Sequence, residues 1–178
     1  MSNGLEIRKN AEDNVFDPRV FRNTLGLYAS GIVVISAFDG INDAMGFTCQ
    51  SFYSVSIDPP LVSFSVMRNS STYPRIRDLG KFSINVLADS QTSISNQFAS
   101  KCPDRWAGID WSLTQNDNPV IAGTLMWLDC ELYAEHEAGD HYIVVGRVTQ
   151  ISPPDWSENE PLLYYKGKYR HLSEQLSL

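Results

Sequence analysis

Between Met45 and Asp58 the chain reads Met-Gly-Phe-Thr-Cys-Gln-Ser-Phe-Tyr-Ser-Val-Ser-Ile-Asp. Thr48, Cys49, Gln50, Ser51, Ser54 and Ser56 stand where a structural strand would carry β-branched or aromatic side chains. Hydroxyl and amide groups this small let backbone N–H groups approach a flat heterocycle while offering it donors and acceptors. The same run also suits a strand that passes into a solvated loop. A second group, Arg68, Arg75, Arg77 and Lys81, opposes only Asp78 and forms a basic island in a chain of net charge −7. It suits a phosphate; its alternative is a solvated helix face. Just before it, Asn69-Ser70-Ser71-Thr72 is a run of helix-capping residues, and a serine-rich helix start presents free N–H groups to a small anion. Asn85, in the middle of an apolar strand pattern, is either solvent-facing or recruited for binding.

Absent motifs narrow the chemistry. No Gly-x-Gly-x-x-Gly follows a strand, no phosphate-loop signature occurs, and nothing resembles a serine nucleophile elbow. His136, His141 and His171 have no metal-ligand spacing among themselves or with cysteine, so no metal site is expected. The chain therefore reads as a binding protein or as one whose chemistry is carried by a cofactor. Its acidic balance disfavours nucleic acid and anionic membrane as partners. Cys49, Cys102 and Cys130 form no Cys-x-x-Cys pair, and their odd number argues against a disulfide framework.

These residues need a scaffold. At 178 residues, 43% hydrophobic and 20% charged, the chain suits one globular domain, expected over 17–171, with a mobile arm at 1–16 and a loose tail at 172–178. No apolar run is long enough to span a membrane and Met1 to Asn14 lacks the core of a signal peptide, so a cytoplasmic location is expected. Asp17-Pro18 predicts a helix start, with Phe21, Leu25 and Tyr28 at helical spacing as far as Ala29. Strands are predicted at Ile32 to Phe38, Ala44 to Thr48, Leu61 to Val66, Phe82 to Val86, Leu125 to Glu135, His141 to Ile151 and Leu162 to Tyr165. Short helices are predicted around Ile76 and Leu79, closed by Gly80, and around Ile94 and Phe98. Lys101 to Pro119 is predicted as a long ordered loop pinned by Trp106 and Trp111. Many short strands joined by turns, with few helices, point to an antiparallel barrel.

Several motifs in order resemble one family. They are Phe21-Arg22-x-x-Leu25-Gly26, Ala29-Ser30-Gly31-Ile32-Val33-Val34-Ile35, Gly46-Phe47-Thr48-Cys49-Gln50-Ser51-Phe52, Val55-Ser56-Ile57-Asp58-Pro59-Pro60-Leu61-Val62, Phe82-x-Ile84-Asn85-Val86-Leu87, Gly139-Asp140-His141 and Lys166-Gly167-Lys168-Tyr169. Together they resemble the short-chain flavin reductases, the reductase components of two-component flavin-dependent monooxygenases. Phe98 to Trp111 looks like the subset paired with aromatic or sterol-ring hydroxylases.

The resemblance implies a mainly β, antiparallel split β-barrel of the FMN-binding type with a few short helices, assembled as a homodimer. It implies FMN or FAD as cofactor, NADH or NADPH as co-substrate, and a separate monooxygenase as partner. By position, Thr48, Cys49, Gln50 and Ser51 would line the isoalloxazine. Ser54, Ser70, Ser71 and Thr72 would approach the ribityl phosphate with Arg75 from the basic island, and Asn85 with Ala88 would contribute from the next strand. His141 and Tyr169 fall at the positions near the nicotinamide, with His141 positioning or donating a proton. Many members carry alanine where this chain has Cys49. The activity implied is NAD(P)H:flavin oxidoreduction. The competing readings are a flavin carrier that never oxidises NAD(P)H, and an oxidase of small amines on a related barrel.

Overall fold

The computed structural model describes residues 16–41, 44–153 and 159–172. Most of the expected N-terminal arm, the acidic loop after Pro153 and the tail beyond Leu172 lie outside them. Helix α1 (Pro18–Leu25) begins as predicted, with Asp17 Oδ1 accepting from the N–H groups of Arg19 at 2.7 Å and Val20 at 3.1 Å. It ends at Gly26, short of Ala29, because none of its residues is buried and no packing extends the last turn.

The strands are β1 (Ser30–Gly31), β2 (Val33–Phe38), β3 (Ala44–Cys49), β4 (Tyr53–Ser56) and β5 (Leu61–Met67), then β6 (Lys81–Val86) after helix α2 (Tyr73–Leu79). A 3₁₀ turn at Asp89–Gln91 leads into α3 (Thr92–Ala99). There follow β7 (Trp111–Leu113), β8 (Pro119–Ile121), β9 (Met126–Ala138), β10 (His141–Ile151), β11 (Leu163–Tyr165) and β12 (Lys168–Arg170). Seven strands form one antiparallel sheet in the order β3-β2-β6-β9-β10-β5-β4, and β1-β11-β12 form a second. The ladder ends at β3 on one side and β4 on the other, so this is a split barrel. The split is bridged by side chains. Ser51, just past β3, accepts from the Ser65 N–H at 2.8 Å and donates to the Ser65 carbonyl at 3.1 Å, taking the place of a strand partner for β5.

Both faces of β2 are buried, which is why it reads as a continuous apolar run rather than an alternating one. Val33, Ile35 and Ala37 join the barrel interior with Phe64, Phe82, Ile84 and Val144. There Phe64 meets Phe82 edge-on at 5.4 Å and Tyr73 at 6.3 Å. Val34, on the opposite face, packs with Ile32, Leu87, Phe98, Ile121 and Leu162 beneath α3.

The segment predicted as an irregular loop contains a ribbon, β7 paired with β8, Trp111 opposite Ile121. The signal was weak because its strands are only three residues long and lack apolar alternation. This ribbon packs on β2 and β6, and buried polar side chains pair with it and with the residue before it. Ser36 donates to the Pro119 carbonyl at 3.0 Å, Asn85 Oδ1 accepts from the Ile121 N–H at 2.9 Å, and Asn118 Nδ2 donates to Asp129 Oδ1 at 2.6 Å.

Gly146 on β10 is required by packing, since a Cβ there would lie 2.7 Å from Phe82 Cζ and 3.3 Å from Cys130 Cβ. Gly146→Ala is expected to lower stability by about 1–3 kcal/mol through overpacking. A drop in the urea midpoint at unchanged slope checks this, and an unchanged midpoint would contradict it.

Candidate functional site

Strand β3 pairs only with β2, so its other edge carries no ladder. Its pleat alternates: Met45, Phe47 and Cys49 point into the barrel core, whereas Gly46 and Thr48 face α3. Gly46 is the only residue type that fits there, because a Cβ would lie 2.8 Å from Phe98 Cε1 and 3.0 Å from the Ile35 carbonyl. Thr48 Oγ1 donates to the Ser95 carbonyl at 2.6 Å, and Gln50 Oε1 accepts from Ser30 Oγ at 3.4 Å. Cys49 is buried, its Sγ 3.2 Å from Ser51 Oγ and 3.8 Å from the Ser65 carbonyl. Thr48 is thus tied to α3 while Cys49 and Ser51 reach across the split to Ser65, and what β3 offers a ligand is its unladdered backbone edge.

Beside that edge lies a cleft of about 500 Å³, lined by Ala44 to Gly46, Ser71, Thr72, Arg75 and residues 101–106. Arg105 is its strut. Its Nη1 donates to the Gly46 carbonyl at 2.8 Å and to Thr72 Oγ1 at 3.2 Å, and its Nε donates to the Ser100 carbonyl at 3.0 Å. One guanidinium therefore ties β3, the Ser70–Thr72 turn and the loop after α3 together. Neither Arg105 nor Lys101 was singled out from the sequence; Arg105's partners are 59 and 33 residues away, so no local pattern marks it.

At the start of α2 two backbone N–H groups are already occupied by a side chain of the chain itself. Ser70 Oγ accepts from the N–H groups of Thr72 at 3.3 Å and Tyr73 at 3.1 Å, so Ser70 caps the turn and Ser71 and Thr72 face the cleft. The basic island also disperses. Arg68 pairs with Glu137 at 3.3 Å, Arg77 with Glu135 at 3.8 Å, and Lys81 lies 4.0 Å from Asp117. Of its four cations only Arg75 lines the cleft, with its Nη2 3.8 Å from Asp39 Oδ2, and Lys101 and Arg105 join it there.

Other expected site residues lie elsewhere. Asn85 is fully buried; its Nδ2 donates to Ser36 Oγ at 2.9 Å and to the Val34 carbonyl at 3.3 Å, so it clamps the ribbon to the barrel. Ala88 is buried, its N–H donating to Gln91 Oε1 at 3.0 Å. Ser54 is exposed on β4 opposite Val62. His141 begins β10 opposite Met67, its Nδ1 2.6 Å from Asp140 Oδ1. That hydrogen bond holds the exposed Asp140 carboxyl below its ordinary range. The Tyr169 hydroxyl lies 2.9 Å from both Ser95 Oγ and Asn96 Oδ1, tying β12 to α3. His141 and Tyr169 lie on separate elements, β10 and β12, of different sheets.

The arrangement suits a ligand with a flat hydrogen-bonding ring and an anionic tail. The ring would meet the edge of β3 and the tail would meet hydroxyls and guanidinium groups in the cleft. Among the described residues no group of three or more His, Cys, Asp or Glu side chains is placed to hold a metal ion.

The family described as a flavin reductase like domain matches residues 25–173. A flavin reductase of Pseudomonas putida is 42% identical over 156 residues, spanning 88% of this chain and 91% of that protein. The reductase subunit HsaB of a flavin-dependent monooxygenase of Mycobacterium tuberculosis is 41% identical over 155 residues, 86% of this chain and 81% of its own length. The structure of the NADH:FAD oxidoreductase SgcE6 of Streptomyces globisporus, in complex with NAD and FAD fragments, is similar with a TM-score of 0.84 at 30% identity. It covers 92% of this chain and 99% of that one.

Burial pushes the Cys49 thiol pKa up against weaker lowering by its hydrogen bonds, and burial likewise raises Cys130 beside Asp129. Cys102 is exposed, and all three are free. Iodoacetamide at pH 8 is therefore expected to modify Cys102 in the folded protein and all three cysteines after unfolding, as read by peptide mass spectrometry. Rapid native labelling of Cys49 would contradict its inward orientation.

Proposed function

The chain belongs to the flavin reductase like family, and from that membership we propose that it oxidises NADH or NADPH to reduce FMN or FAD for a separate monooxygenase. When bound, the flavin supplies the redox chemistry by accepting at N5 the hydride from C4 of the nicotinamide. The protein's share is positional, which accords with a site that holds no hydrolytic machinery. The observation that carries the reading is the unladdered edge of β3 running into a cleft of hydroxyl and cationic groups.

In this assignment the backbone N–H groups along β3 orient the ring and stabilise negative charge on it. Ser71, Thr72 and Arg75 hold the phosphate. Arg105 keeps the walls of the cleft at their spacing. His141, fixed by Asp140, is assigned to the nicotinamide side, where it orients the co-substrate or donates a proton from solvent exchange. Tyr169 acts through α3, because its hydroxyl is committed to Ser95 and Asn96 and Ser95 in turn binds Thr48 of β3.

We propose a homodimer as the working unit. Edge strand β4, its flank and the end of β5 leave Tyr53, Val55, Ile57 and Met67 exposed, and α1 with the turn after it leaves Val20, Phe21, Leu25 and Tyr28 exposed. A covered surface of that kind is the usual reason for so much unburied apolar area. We place the protein in the cytoplasm; among the described residues no helix is long and apolar enough to cross a membrane.

Mixing the full chain with NADH and excess free FMN or FAD is expected to bleach the 340 nm absorbance. No decay with either flavin would leave the carrier reading instead. Ser71→Ala and Arg75→Ala are each expected to weaken flavin binding by about 1–3 kcal/mol through lost charge-assisted contacts. Titrations unchanged by both would remove this cleft from the flavin site.

A further inference from the structure

Arg75 and Arg105 both line the cleft, and they are held in different ways. Arg105 donates to two carbonyls and a hydroxyl, all neutral oxygens, and so serves as a fixed strut. Arg75, on α2, faces a carboxylate: its Nη2 lies 3.8 Å from Asp39 Oδ2. Asp39 follows β2, in the turn that leads to β3, and is not part of the cleft wall. Its Oδ1 accepts from the Ile41 N–H at 3.0 Å, which leaves Oδ2 for the guanidinium. That contact is longer than a direct charge-assisted hydrogen bond of about 2.7–2.9 Å. With side chains 48% and 33% exposed, the two groups belong with the surface ion pairs that hold each other weakly.

On the reductase reading above, which places the flavin phosphate at Ser71, Thr72 and Arg75, we propose that Asp39 sets how loosely the cleft holds its flavin. It acts through Arg75 and is thus a positioning residue, remote from the reacting ring. A phosphate monoester carrying about −1.5 to −2 has two ways to meet Arg75. It draws the guanidinium away from Asp39, or it shares the cation with a carboxylate of like charge. Either way part of the Arg75 attraction is cancelled, so Asp39 raises the dissociation rate of FMN and leaves the contacts of the ring untouched. A reductase that serves a separate monooxygenase must let its reduced flavin go. A displaceable ion pair at the phosphate achieves this without altering the β3 edge on which the ring lies.

The test compares FMN with riboflavin, which differ only in the phosphate. Asp39→Asn keeps an oxygen for the Ile41 N–H and removes the charge, and Asp39→Ser does the same with a hydroxyl. In the full chain both variants are expected to bind FMN about two- to fivefold tighter than wild type by flavin fluorescence, with slower FMN dissociation in stopped flow and riboflavin affinity unchanged. In an Arg75→Ala background the same substitutions are expected to lose most of that gain. FMN affinity that is unchanged or lowered in the two variants would overturn the proposal. So would an equal tightening of riboflavin, which marks a general rearrangement of the turn, or a gain that persists in full without Arg75. Arg75→Ala that binds FMN like wild type overturns the phosphate assignment and this proposal with it. NADH oxidation is a separate readout: its failure with both flavins overturns the reductase reading, while the binding comparison stands.

Discussion

The Ser51 hydroxyl bridges the two halves of this barrel. Ser51 occupies both backbone groups of Ser65, which lies beyond the stretch of β5 that β4 covers. A strand partner there would zip the split shut, and an apolar residue would leave a buried N–H without an acceptor. The serine does neither. It satisfies β5 at one point and lets the edge of β3 run on unpaired, which is the condition for any ligand to reach that edge. Arg105 provides the second fixed point, since it binds the Gly46 carbonyl and the Thr72 hydroxyl at once. Between these two ties the separation of β3 from the Ser70–Thr72 turn is set by side-chain length rather than by ladder geometry.

The sheet was legible in the sequence because its strands obey simple rules. β5, β6 and β10 carry the β-branched and alternating patterns that mark half-buried strands, and Gly139 takes the positive φ of 63° that a tight β9–β10 turn requires. What could not be read was the destination of each polar side chain. Asn85 breaks the apolar pattern of β6, and a mid-strand amide suits a ligand contact as well as a structural one. The structure spends both ends of its amide on the barrel and on the ribbon from Pro119 to Ile121, a segment 36 residues downstream with no strand signal of its own. The basic island disperses for the same reason. Arg68 and Arg77 pair with carboxylates of β9, about sixty residues away, and local sequence holds no trace of that register.

Buried polar groups recur where the ribbon meets the barrel. Ser36 and Ser83 lie 2.8 Å apart beneath Pro119, and Asp129 receives Asn118 from the same segment. An apolar interface could slide, but a set of hydrogen bonds with one satisfactory arrangement fixes the register of the ribbon on the sheet. That register places Trp111 against Trp106, and Trp106 forms a wall of the cleft. A polar cluster on the far side of β6 thus sets the position of an aromatic ring at the site, without any of its members touching a ligand.

The pleat of β3 also bears on the meaning of Cys49. Inward-facing residues of this strand answer to the core, where the thiol packs among Met45, Phe47 and Val62 and leans on the Ser51–Ser65 tie. Burial keeps it protonated, and a protonated, enclosed thiol is a small hydrophobic group with weak hydrogen-bonding capacity rather than a nucleophile. A ring lying along the outer edge of β3 meets main chain, which every residue type supplies alike. Recognition through that edge tolerates a change of side chain at position 49, provided the replacement fits the core space and leaves the Ser51 bridge in place.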